Sequence, residues 1–157
     1  MYKRTLQIII ILLILITGCT RTMQVKHKKV TAINDTIIEE YYLSSPIKTY
    51  ITRPNLEWEI KVTDTSDCDD IFIKLLSMIK SENIYEILRE DYNDYFIGIF
   101  LKIYNDKNEL IKEYSSSYYK VGTTIYDDDS KNEIDNFTTW MIEDHQQNSI
   151  DIFTYMD

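Results

Sequence analysis

The most regular hydrophobic pattern lies in residues 56–62, where Leu56, Trp58, Ile60 and Val62 alternate with Glu57, Glu59 and Lys61. A period of two predicts a strand with one buried face. Residues 47–52 supply an antiparallel neighbour across Arg53-Pro54-Asn55. A helix is predicted next, with Ser66 as its cap, Asp67, Asp69 and Asp70 in its first turn and Lys80 at its end. Ile71, Leu75, Met78 and Ile79 share its apolar side, and Lys74, Ser77 and Ser81 fall opposite. Residues 84–90 fit either a helix or a strand.

The nearly continuous apolar run 95–104 predicts a central strand. Residues 105–109 then turn the chain into a hairpin partner over 110–119. Residues 123–126 could add a short strand. Ser130 and Glu133 have capping-box spacing ahead of a second helix, with Ile134, Phe137 and Met141 on its buried side and Trp140 at the edge. Residues 149–156 close the chain as a strand. The sum is an α+β fold, a largely antiparallel sheet of four to six strands with two helices packed on one face.

The chain begins differently. Lys3 and Arg4 precede nine uninterrupted apolar residues, Ile8 to Ile16. A spanning helix needs roughly 20 such residues, whereas a secretory leader has an apolar centre of about 7–15 after a basic start. The run ends in Ile16-Thr17-Gly18-Cys19, which resembles the lipobox of bacterial lipoproteins: an aliphatic residue, a small residue, Gly or Ala, then Cys. The resemblance covers residues 1–19. It implies that a diacylglycerol joins the Cys19 sulfur, that a peptidase removes residues 1–18, and that the new amine is often acylated, as with palmitate. Residues 19–32 are then expected to form a lipidated basic tether, and residues 33–157 a single acidic globular domain. A flexible stretch of eleven or so residues has an average reach of roughly 20 Å. Thr20 beside Cys19 resembles sorting to the outer membrane if the cell is Gram-negative, facing the periplasm or the outside.

Charge sharpens this division. The chain has 17 basic and 26 acidic residues. Residues 19–29 carry Arg21, Lys26, Lys28 and Lys29 and no acid, while residues 30–157 hold all 26 acids and 11 basic residues. A basic stem is drawn to anionic headgroups by around 1 kcal/mol per cation, and an acidic domain should stand off from them. The same acidity argues against a nucleic-acid partner and permits a basic protein partner. The 26 Ile and 13 Tyr against a single Ala reflect an AT-rich coding bias, so abundant tyrosine is no sign of adhesive function.

No catalytic set emerges. The acidic clusters 67–70 and 127–129 fail the calcium-loop pattern, because that pattern needs Gly at the sixth position and Glu at the twelfth. Both sit at predicted helix starts, where carboxylates meet unpaired amides. Cys68 lacks a base, with only His27 and His145 in the domain and tether, and flanking carboxylates oppose its thiolate. Glu57 and Glu59 point outward beside Lys61 rather than flanking a cleft. No phosphate loop or lipase-type motif is present. No cofactor and no metal are therefore expected. Tyr118, Tyr119 and Tyr126, rimmed by Asp127, Asp128 and Asp129, are the candidate interaction surface; hairpin strands packing their tyrosines on the sheet explain the same residues. The expectation is a lipid-anchored, non-catalytic protein-binding module, for instance an immunity-type protein opposing an envelope-active toxin. The alternatives are a structural or assembly lipoprotein of the envelope and an enzyme whose site no motif encodes.

Overall fold

The computed structural model describes residues 22–93, 98–117 and 137–155. In chain order these form β1 (Thr22–Gln24), α1 (Lys28–Glu40), β2 (Lys48–Thr52), β3 (Asn55–Lys61), α2 (Cys68–Ser81), α3 (Ile84–Tyr92), β4 (Gly98–Tyr104), β5 (Leu110–Ser117), β6 (Thr139–Asp144) and β7 (Ser149–Thr154). The strands make one sheet in sequence order. Every neighbouring pair is antiparallel except β3 and β4, which run parallel because α2 and α3 intervene. The fold is thus α+β and largely antiparallel. Its described residues form seven strands and three α-helices rather than four to six and two.

The alternation read at 56–62 sets the layers. Leu56, Trp58 and Ile60 of β3 and Ile99, Leu101 and Ile103 of β4 are buried. They share one core with Val30, Ile33 and Ile37 of α1, with Ile71, Phe72, Leu75, Leu76 and Ile79 of α2, and with Ile84 and Leu88 of α3. The helices therefore cover one face of the sheet. The other face carries half-buried Tyr50, Glu57, Glu59, Phe100, Lys102 and Glu113. The hairpins β2–β3 and β4–β5 form as their turn residues predict.

Several expectations change. The domain reaches further back than residue 33: Thr22–Gln24 pairs with β2, Val25 and Val30 are buried, and His27 caps α1 by accepting from the Lys29 N–H at 3.2 Å. His27 is also 3.3 Å from Asp91 on α3. Burial of Val30, Ile33 and Ile37 holds this helix, which has no acid in its first turn and no base in its last. Ser66 does not cap α2. It lies in a 3-10 turn, Thr65–Asp67, where its N–H donates to Asp64. Residues 84–90 are helical.

The predicted second helix is overturned where it is described. Phe137 has φ 60°, and Thr139–Asp144 is a strand paired on both sides. Strand alternation therefore buries Trp140 and turns Met141 outward. Residues 94–97, the strand expected at 123–126 and the start expected at Ser130 lie outside the described residues. No described helix is long and apolar enough to cross a membrane.

Candidate interaction surface

Of the residues singled out by sequence, Cys19, Tyr118, Tyr119, Tyr126, Asp127, Asp128 and Asp129 all lie outside the described residues. The cluster at 67–70 is described, and it is built into the fold. Asp69, in the first turn of α2, accepts from the Tyr114 hydroxyl at 2.5 Å and from Lys112 Nζ at 2.9 and 3.0 Å. Partial burial pushes its carboxyl up, but these two donors outweigh that and hold it below the ordinary range. Tyr114 is fully buried, and burial plus the bond to Asp69 push its hydroxyl far up. The network joins α2 to β5.

Cys68 opens α2 and is buried. Burial pushes its thiol up to about 11; Asp69, Asp144 and Asp67 add to this and Lys112 opposes it. The dipole of α2 does not produce a thiolate here. His145 sits 3.9 Å from Glu143 in the β6–β7 turn region. Among the described residues no group of three or more His, Cys, Asp or Glu could hold a metal. Glu57 is not a freely solvated carboxylate: it accepts from Lys102 at 2.9 Å and is mostly covered. A cleft of about 430 Å³ opens between the end of α2, the start of α3 and the sheet. Leu76, Ile79, Ile99 and Phe137 line it, and among the described residues Lys80 and Glu86 are its charged groups.

Exposed large apolar side chains cluster at the β6–β7 border. Across this pair Met141 faces Ile152, Glu143 faces Ile150 and Thr139 faces Thr154. Ile150, Ile152 and Met141 are exposed at 64 %, 68 % and 42 %, a concentration of apolar surface. The Tyr155 N–H donates to Thr138 O at 2.7 Å. In an antiparallel ladder the bonding direction alternates, so the backbone groups of Phe153 and Asp151 face β6. Those of Ile150, Ile152 and Thr154 then point to the edge that no described strand pairs.

Native edge strands are usually guarded by Lys, Pro or a bulge. β7, Ser-Ile-Asp-Ile-Phe-Thr, has no Lys and no Pro. Among the described residues the charges around it are mainly acidic, with Lys80 beside Tyr155 at one end. Asp151 is exposed, Glu143 is partly open, and Glu113 lies across from Glu143 on β5. Burial pushes the Glu113 carboxyl up, with Glu143 and Glu57 adding to the effect and Lys102 and His145 opposing it. The nearest cation on β5, Lys112, is already held by Asp69.

Sequence reasoning marked 149–156 as a strand but not as an interface. The signal was present in the spacing of Ile150 and Ile152, yet the same alternation also describes a covered strand. Comparison of the chain with protein-family models, curated proteins and solved structures gives no match.

Proposed function

We propose that the protein is a lipid-anchored envelope protein without catalytic chemistry that binds another protein along β7. The lipobox-like Ile16-Thr17-Gly18-Cys19 supports the anchor. The observation that carries the binding role is the outer edge of β7, which no described strand pairs, with Ile150 and Ile152 exposed beside it. Such an edge accepts an extended segment as an added strand, with backbone bonds giving affinity and alternate side chains giving selectivity. Because the rim is acidic, the segment should alternate apolar with Lys or Arg residues. An immunity-type protein that holds a strand of an envelope-active toxin has this form.

The test is crosslinking pull-down from membranes with the lipidated wild type and with Ile152→Pro. This substitution removes an edge N–H that β6 does not use, so the β6–β7 ladder survives. Loss of the partner in Ile152→Pro, at unchanged thermal stability, is the expected result. Equal capture by both proteins, or recovery of lipid alone, overturns the β7 reading. Cys19→Ser should leave an unlipidated precursor outside its membrane. Wild-type protein in the soluble fraction with no mass gain at Cys19 would overturn the anchor.

A further inference from the structure

The register of the sheet aligns one end of every strand. Thr22 faces Thr52, Thr52 faces Asn55, Asn55 faces Gly98, and Gly98 faces Ser117. Ser115 faces Met141, which brings Thr139 level with Ser117, and Thr139 faces Thr154. One row of residues, from Thr22 to Thr154, thus marks a single end of the sheet.

Two contacts extend that end into the helical layer. Lys80, near the end of α2, stands over the Tyr155 ring at 4.6 Å, one residue past Thr154. Lys29, at the start of α1, reaches Glu82 at 2.8 Å. The start of α1 and the end of α2 therefore lie at the end of the sheet that carries Thr22. The opposite end holds the β4–β5 turn and the acidic start of α2. There Lys112 joins Asp69 and approaches Asp144 at 4.0 Å.

Covalent reach now sets the geometry. Three residue steps separate Cys19 from Thr22, and an extended chain covers at most about 3.6 Å per step, so roughly 11 Å in all. The six steps from Asn55 to Lys61 carry β3 about 20 Å in the other direction. Exposed Lys26 and Lys28 lie at the start of α1, and exposed Arg53 lies in the β2–β3 turn. Of the described acids at this end, Glu82, Glu86 and Asp91 pair with Lys29, Arg89 and His27, and Glu90 is exposed beside them. Exposed Asp64, Asp70, Asp106 and Glu109 and half-buried Asp67 lie on segments of the far end.

We infer that the end of the domain formed by Thr22, the Arg53-Pro54 turn and the start of α1 rests on anionic lipid headgroups, with the β4–β5 turn directed away from the bilayer. The inference rests on lipidation of Cys19. It replaces a domain swinging on a flexible stem with one docked at a fixed end. Reach imposes the proximity, and cations worth around 1 kcal/mol each near an anionic surface select the orientation.

The experiment uses lipidated protein in phosphatidylcholine vesicles with and without phosphatidylglycerol, and fluorophores at Thr154→Cys and Asp106→Cys. Neither site is close to Cys19 in sequence, and native Cys68 is buried. With a quencher on the headgroups, the Thr154→Cys label should be quenched several-fold more than the Asp106→Cys label. Adding Lys26→Glu and Lys28→Glu should reduce that contrast in phosphatidylglycerol vesicles without releasing the protein. Hydrogen exchange on the unlabelled protein is the second readout, with slowing expected at residues 53–55 and not at 105–109. Protein that floats with the vesicles yet shows equal quenching and equal exchange at both ends overturns the orientation. Protein that does not float overturns the anchoring itself.

Discussion

Replacing Tyr114 with phenylalanine probes the network that joins the acidic start of α2 to β5. The Tyr114 ring is buried and stacks on Phe72 with centroids 4.2 Å apart, and phenylalanine keeps both volume and stack. The change removes one group, the hydroxyl that donates to Asp69 Oδ1 at 2.5 Å. A bond to a charged acceptor contributes about 1.5–3 kcal/mol. Asp69 retains Lys112 on both oxygens, and its side chain is largely open to water. The cost should therefore fall near the lower end, about 1–2 kcal/mol. With a urea slope of about 2 kcal/mol per molar, the unfolding midpoint drops by roughly 0.5–1 M.

The pH dependence follows from the direction of the Asp69 shift. A carboxyl held below its ordinary value contributes stability above its unfolded pKa, about 3.9, and loses it as pH falls through the lower folded value. The gap between wild type and Tyr114→Phe should stay constant from neutral pH to roughly pH 5 and narrow below about pH 4. Urea titrations followed by tryptophan fluorescence measure it. An unchanged midpoint at neutral pH, or a gap that widens in acid, refutes the reasoning.

Three further predictions follow from other parts of the molecule. Trp140→Ala should cost about 3–5 kcal/mol while Met141→Ala stays within about 1 kcal/mol; the reverse order in chemical denaturation would restore a helix over these residues. Cys68, buried with its thiol pushed up to about 11, should resist iodoacetamide in the native protein at mildly alkaline pH and react fully in denaturant, and rapid native labelling contradicts its placement. Lys102→Met strips Glu57 of its partner and Glu113 of an opposing charge, for about 1–3 kcal/mol. Because a raised carboxyl loses stability as pH rises through its folded pKa, this cost should be larger at neutral pH than in mild acid. A cost that is flat with pH counts against the charge argument.

Where a segment's own pattern matched its surroundings, the sequence sufficed. Leu56, Trp58 and Ile60 alternate because β3 has one face on the core, and the hairpins around Arg53-Pro54 and Asn105–Glu109 follow from their turn residues. The acids at 67–70 announced the start of α2, although which of them would cap was not readable.

Other segments needed the fold to choose for them. Residues 28–40 mix cations with β-branched residues, so their own propensity is weak. They become helical because Val30, Ile33 and Ile37 find the core. Phe137 and Met141 stand four apart, as on a helix, but β5 and β7 offer backbone partners on both sides, and the ladder turns Trp140 inward instead. The edge position of β7 is invisible in its composition. The alternation of Ile150 and Ile152 records which way they point, and only the order of strands in the sheet decides that nothing described covers them. Local pattern therefore determined period and polarity in this protein. Pairing, edge and end were decided by tertiary structure, because they depend on neighbours distant in the chain.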